Sequence, residues 1–353
     1  MSVAIPPLAA ALIRSPPGKW EEEDRRRLSG PLSGRGYAPP YDRARQPILP
    51  AIIIVAKPAI IIVAAQFRDR VVHHALMARV GPIFEAGFIA HSFANRTGKG
   101  THRAIEAYER YRDRHANILR CDVFRFFPAI DHAILKADFR RCIACAPTPA
   151  LMDKIVDGSN AQEPVNLHFP GDDLFTPFER RRGLPIGNLT SQWCANIFLD
   201  PLDHFCAEKL GAPYLRYVDD FALFADSADQ LEKWCVRIDT FLARRRLKLH
   251  LRKTFIAPTA EPGTFLGYEL HRDGRRRMRE ANVDRAHNRL RGIKDRLKAG
   301  TITKDQARAQ VQAWRAQADF AHAEHLQRAM LRGLPEDVRQ RPRRQRKRRQ
   351  KRP

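Results

Sequence analysis

The sequence predicts an α+β fold built on an antiparallel sheet, and three observations carry that expectation. Residues 214–226 place two short apolar runs on either side of Asp219-Asp220: Tyr214-Leu215 with Tyr217-Val218 before it, and Phe221-Ala222-Leu223-Phe224 after it. That is the pattern of two strands joined by a tight turn. Ile118 to Val123 is a second apolar strand run, with Asp122 near its end. Between and beyond these runs lie segments of helical period, above all 229–246 and the basic stretch 280–331.

Taken in order, residues 1–46 are rich in Pro, Gly and Arg without periodicity and read as a loosely ordered arm. Pro50-Ala51-Ile52-Ile53-Ile54-Val55-Ala56 then recurs as Pro58-Ala59-Ile60-Ile61-Ile62-Val63-Ala64. Ile and Val in short runs bounded by Pro predict two strands, either a hairpin or a duplicated strand with one copy outside the fold. Residues 66–90 predict a helix with Val71, Val72, Ala75, Leu76 and Val80 on one face. The Gly/Lys loop from Ser92 to His102 opens a further helix at about 103–114. It lacks the full G-x-x-x-x-G-K-[ST] spacing, and a contact to nucleic-acid phosphate at that helix start is the expectation.

Residues 133–160 read as mostly helical, and 161–182 as a polar connection broken by Pro and Gly. Gly183 to Gln192 opens a helix running to about Leu210. In 229–246, Leu231, Trp234, Cys235, Ile238 and Leu242 fall on one face. Leu247 to Leu251 alternates as a strand, and Phe265-Leu266-Gly267-Tyr268 is a short strand with a Gly turn. Three helices follow at about 280–298, 304–315 and 319–331, and a basic tail that cannot fold alone ends the sequence.

Composition narrows the partners. With 63 Lys and Arg against 39 Asp and Glu, the formal net charge is +24. Basic clusters recur at 25–27, 180–182, 244–246 and 275–277, so the excess is not confined to one tail. A polyanion is the expected partner, since Lys and Arg on phosphates release condensed counterions. Six cysteines form no framework, and the single CxxC, Cys142 and Cys145, has no second pair to complete a zinc site. Reduced thiols in a cytosolic protein are expected. Residues 51–65 are apolar but split by Lys57-Pro58 and too short to span a bilayer, and Ala9 to Ile13 lacks the charged lead of a signal peptide. No membrane partner is expected.

An adjacent Asp pair in a loop is usually a solvated turn. Asp122 changes its meaning, because a carboxylate within an apolar strand is costly unless paired or bound to metal. Three carboxylates, one at a strand end and two at a hairpin tip, suit two Mg²⁺ ions, which prefer carboxylate oxygens and keep waters for phosphates.

Y-V-D-D at 217–220 with C-D-V-F-R-F-F at 121–127 resembles the reverse transcriptases. Five further blocks follow that family's order: F-R-D-R-V-V-H-H-A-L, S-F-A-N-R-T-G-K-G-T-H, G-L-P-I-G-N-L-T-S-Q, L-K-L-H-L-R-K-T and F-L-G-Y. The resemblance spans about residues 57–332. It implies a right-hand polymerase, with fingers and an antiparallel palm sheet over 47–275, a helical thumb over 276–332 and a basic tail at 333–353. Its implied activity is RNA-directed DNA synthesis on an RNA template and primer, giving cDNA from dNTPs, with two Mg²⁺ ions or Mn²⁺ as substitute.

Ile186-Gly187-Asn188-Leu189-Thr190-Ser191-Gln192 narrows the match. An apolar residue before the Gly, where most of the family has Gln, with Ser-Gln closing, is similar to the enzymes of diversity-generating retroelements and their bacterial relatives. Those copy a template-repeat RNA with errors at template adenines, aided by a small basic helical-bundle protein. An aliphatic side chain beside the incoming nucleotide cannot make an amide's hydrogen bonds, so base and sugar are held less strictly.

The resemblance also implies roles by position. Asp122, Asp219 and Asp220 are the metal ligands, with the carbonyl of Val123 an extra one. Phe127 is the gate that excludes a ribose 2′-hydroxyl, and Lys253 protonates the leaving pyrophosphate. Ile186, Gly187 and Gln192 line the nucleotide site, with Arg68, Arg70 and Lys57 as contacts from the fingers. Phe265, Leu266 and Gly267 form the primer grip. Two departures stand out: Lys57 takes the place of the usual Arg before the fingers strand, and Gln66 that of a Pro. Two alternatives stay open: a defence-associated or untemplated bacterial reverse transcriptase, and an RNA-binding scaffold with a decayed site.

Overall fold

The computed structural model describes residues 52–53, 62–63, 65–159 and 165–340. Lys57, the 1–46 arm and the tail beyond residue 340 lie outside the described residues. The chain divides into two compact units, one drawn from Met1–Gly100 and Asn117–Ala257, the other from Thr101–Ala116 and Pro258–Pro353. It is a mixed α+β fold with a central antiparallel sheet and flanking helices.

The first unit holds that sheet. Strand Asp220–Ala225 lies between Tyr214–Tyr217 and Asn117–Asp122, and Phe255–Pro258 borders the latter on its far side. The run Phe221-Ala222-Leu223-Phe224 is buried without alternation, as suits an interior strand covered on both faces. Helix Ala228–Arg244 covers the sheet with the five predicted residues, Leu231, Trp234, Cys235, Ile238 and Leu242, all buried. Ser227 starts it, its side chain accepting from the Gln230 N–H at 3.4 Å. Helix His132–Cys142 starts likewise on Asp131, which accepts from Ile134 N–H at 3.1 Å. Helix Leu189–His204 runs through the core and passes into a π-helical turn at Phe205–Lys209. Of the Ile-rich repeat, Ile52–Ile53 pairs antiparallel with Ile62–Val63.

Two expectations are corrected. Helix Phe67–Gly87 buries Met77, Val80, Gly81 and Phe84, whereas Val71 and Val72 are exposed. The packing face follows Trp193, which lies against Gly81, and not the apolar stripe of the first turns. Leu247 to Leu251 does not form a strand. Only Leu249 pairs, in a bridge to Val123, and the chain turns back at His250, whose carbonyl accepts from Lys253 and Thr254. The basic loop before Thr101 bonds its own backbone: Arg96 donates to the Ile89 and Ser92 carbonyls, and Lys99 Nζ to the Ala90 carbonyl at 2.6 Å.

The second unit contains helix Thr101–Arg112 and a three-stranded meander of Gly263–Phe265, Tyr268–Leu270 and Arg276–Met278. Helices Glu280–Lys298, Lys304–Phe320 and Glu324–Leu331 follow, with a last turn at Glu336–Arg339. Leu290, Ile293, Val311, Trp314 and Leu331 form their core. Thr303 and Gln306 cap the second helix reciprocally, a local signal that sets its start. Among the described residues, no helix is long and apolar enough to cross a membrane.

Candidate active site

The acidic hairpin is one residue out of step with expectation. Tyr217 pairs with Asp220, so the two-residue loop is Val218-Asp219 and Asp220 already belongs to the returning strand. Val218 has φ 59°, while Asp219 keeps a negative φ, the sign pattern of a type II′ turn, in which the first position is normally glycine. A β-branched residue in the left-handed region costs about 1–3 kcal/mol and persists only where its surroundings hold it there.

Those surroundings are visible on both sides of the turn. Val123 N–H donates to the Asp219 carbonyl at 3.2 Å. Arg216 donates from Nη1 to the Val218 carbonyl at 3.0 Å. The Arg216 guanidinium is fully buried and bidentate on buried Asp203, at 2.7 Å from Nε and 2.6 Å from Nη2. Asn196 and Ser92 accept its remaining bonds at 3.1 Å each, and the Tyr214 hydroxyl donates to the same Asp203 at 2.7 Å.

Antiparallel register sets Asp122 opposite Asp220, so the backbone carries all three aspartates at one end of the sheet. The backbone of Asp122 is fixed by His250, whose N–H donates to its carbonyl at 2.8 Å. Its carboxylate takes Lys253 Nζ at 3.0 and 2.9 Å. Arg120, on the same face of the same strand two residues earlier, reaches both oxygens of Asp220 at 2.8 Å. Two protein cations thus meet three carboxylates. The imbalance falls on Asp219: burial, then the charge of Asp122, pushes its carboxyl up from 3.8 to about 6. Burial also pushes Asp220 up, against the guanidinium of Arg120.

Among the described residues, no three His, Cys, Asp or Glu side chains are gathered as a metal ion would require. The outer two aspartates are turned to Arg120 and Lys253. The donor set nonetheless fits Mg²⁺. Hard oxygen donors with one negative charge in excess, in a site where burial penalises that charge, are what a divalent cation relieves.

Other expected site residues are placed as follows. Phe127 is half-buried in the helical turn Phe126–Ala129, and its carbonyl accepts from Leu184 N–H at 2.9 Å. With Gly183 N–H on the Ile130 carbonyl at 2.8 Å, this lays the segment leading to Ile186 alongside the Phe127 turn. Ile186 is half-buried, Gly187 is exposed with φ 116°, and Gln192 is half-buried in the first turn of Leu189–His204. Arg68 and Arg70 are exposed near the start of helix Phe67–Gly87, the latter over the Phe67 ring at 5.7 Å. Phe265, Leu266 and Gly267 belong to the second unit. There Phe265 is buried against Tyr108, and Leu266-Gly267 forms a turn with positive φ at both residues.

Sequence reasoning missed Arg120, Arg216 and Asp203. Arg120 had a signal, since a charge two residues before Asp122 must share its face. It also missed Asn188, whose side chain does not cap its helix but accepts from Ala65 N–H at 3.0 Å.

Protein YkfC of Escherichia coli strain K12 is 22% identical over 246 residues, 58% of this chain, and the chain spans 61% of that relative. Among solved structures, telomerase from Candida albicans with a fragment of telomeric RNA is 14% identical with TM-score 0.39, over 59% of this chain and 37% of that one. Apo telomerase from Candida tropicalis is 11% identical with TM-score 0.41, over 66% and 49%. The family model for reverse transcriptase (RNA-dependent DNA polymerase) matches residues 60–270, more than half of the 353, and the chain belongs to that family.

Proposed function

We propose that this protein is an RNA-directed DNA polymerase that copies an RNA template into cDNA from a primer and dNTPs. The observation that carries the reading is the register of Asp122 against Asp220, with Asp219 in the adjoining turn. Asp122, Asp219 and Asp220, with the Val123 carbonyl, would hold Mg²⁺, which supplies activation of a 3′-hydroxyl and charge neutralisation at the phosphates. The chain's own residues do the rest. Lys253, on Asp122 at 2.9 Å, is a proton donor stationed beside the acidic end of the sheet, suited to protonating pyrophosphate as it leaves. Phe127 walls the nucleotide site against a 2′-hydroxyl. Ile186, Gly187 and Gln192 border that site, and Arg68, Arg70 and Lys57 reach the template or triphosphate. Phe265 to Gly267 grip the primer. In this reading residues 47–275 are fingers and palm, and 276–332 a thumb.

The finer reading is an error-prone enzyme of the diversity-generating retroelement type. It rests on Ile186, an aliphatic residue that cannot hydrogen-bond a base or sugar. A small basic helical-bundle protein is the expected accessory partner. A second reading, an RNA-binding scaffold with a weakened site, is favoured by the ion pairs that occupy Asp122 and Asp220.

Primer extension on RNA with sequencing of the product separates these readings. Mg²⁺-dependent dNTP incorporation that is abolished in Asp219→Asn, with RNA binding retained, is the expected result. RNA binding without incorporation under any divalent ion selects the scaffold.

A further inference from the structure

We infer that Arg216 is a positioning residue for the acidic site: it holds the strained turn that aims Asp219, through a hydrogen bond to the Val218 carbonyl and an ion pair with Asp203. The inference rests on the reading of Asp219 as a ligand to divalent metal.

Burial and geometry carry it. A fully buried arginine is costly unless every donor is satisfied, and here each arm is assigned. Nε and Nη2 grip the Asp203 carboxylate side-on, which fixes the plane of the guanidinium. Nη2 also donates to Ser92 Oγ. Nη1 is thereby aimed at two acceptors, Asn196 Oδ1 at 3.1 Å and the Val218 carbonyl at 3.0 Å. The backbone of Arg216 is pinned as well: its N–H donates to the His91 carbonyl, and its carbonyl accepts from Phe93 N–H, both at 3.0 Å. Val218 has φ 59°, a conformation its β-branched side chain resists. The peptide linking Val218 to Asp219 is held at one end by Arg216. The Asp219 carbonyl, one peptide on, is held by Val123 N–H. Releasing the Arg216 end leaves Val218 free to relax toward negative φ, which would swing Asp219 away from Asp122 and Asp220.

Lysine is the discriminating substitution. It keeps the charge facing Asp203, but a single ammonium cannot grip that carboxylate side-on and still reach the Val218 carbonyl. Arg216→Lys is therefore expected to bind Mn²⁺ about 10-fold or more weakly than wild type, the scale on which supporting partners of metal ligands act. Mn²⁺ binding to purified full-length protein, read by electron paramagnetic resonance, measures this without polymerisation. Val218→Gly added to Arg216→Lys removes the backbone strain and is expected to restore most of the lost Mn²⁺ affinity. A merely structural role for Arg216 would not give that rescue.

If Arg216→Lys does not fold, Ser92→Ala loosens the same guanidinium while leaving the ion pair intact, and a weaker Mn²⁺ affinity is again expected. A folded Arg216→Lys or Ser92→Ala protein with wild-type Mn²⁺ affinity overturns the inference. So does a loss that Val218→Gly fails to repair. Primer extension by wild type keeps the two questions apart. Polymerisation with Arg216-independent Mn²⁺ binding sinks this inference alone. Arg216-dependent Mn²⁺ binding without polymerisation sinks the polymerase reading alone.

Discussion

Asp219→Asn should make the metal-free protein more stable at neutral pH, even though it removes a residue assigned to catalysis. The Asp219 carboxyl is raised from 3.8 to about 6, first by burial and then by the charge of Asp122. A folded state that holds a proton more tightly than the unfolded chain is favoured below the unfolded value. That contribution is lost as pH rises through the folded value. Asparagine mimics the protonated form at every pH, so its advantage grows with pH. Proton linkage between 3.8 and about 6 gives an advantage of about 2 kcal/mol at pH 5 that rises to about 3 kcal/mol at pH 8. Urea unfolding of both proteins at pH 5, 6, 7 and 8 in EDTA, followed by circular dichroism, reads the difference directly. Adding Mg²⁺ at pH 8 should then stabilise wild type more than Asp219→Asn, because the variant has lost one of the three carboxylates that would bind the cation. An Asn variant no more stable than wild type at pH 8 would refute the reasoning. A difference that stays flat between pH 5 and 8 would also do so, since it would locate the effect in packing rather than charge.

Three further outcomes follow from the same geometry. Arg120→Met removes the guanidinium that opposes the burial of Asp220, so protons should compete harder for the site. The Mg²⁺ needed for half-maximal incorporation should rise about threefold or more between pH 8 and 6.5 relative to wild type, and a parallel pH profile would count against the pairing. Asp203→Ala strands a buried guanidinium and should cost about 3–5 kcal/mol in urea unfolding. A loss below about 1 kcal/mol would mean that Arg216 finds water or another acceptor. Ile186→Gln should lower misincorporation opposite template adenine in sequenced cDNA, and an unchanged error spectrum would remove Ile186 from the fidelity argument.

What the sequence made legible was what depends on local pattern. Helix 228–244 was readable because five apolar residues at helical spacing specify it without outside help. The strand pair carrying Asp122 and Asp220 was readable because its apolar runs are short, β-branched or aromatic, and bounded. Registers set by distant partners were not readable. The turn sits at Val218-Asp219 and not at the Asp pair because Arg216 and Val123 hold it there, and Arg216 is itself held by Asp203, Asn196 and Ser92 from other parts of the chain. Nothing local to 214–226 announces that an arginine in a strand will be buried; by type alone it belongs on the surface. The face of helix Phe67–Gly87 was misjudged for the same reason, since Trp193, far off in sequence, decides which residues it packs. Both failures lie at long-range contacts, and a local rule broken at a site is a sign of constraint from elsewhere. Val218 is the sharpest instance. Glycine would sit in that turn without strain, and a valine there requires a buried guanidinium and its carboxylate to hold it. The turn beside Asp219 is therefore determined by the packed interior beneath it more than by its own residues.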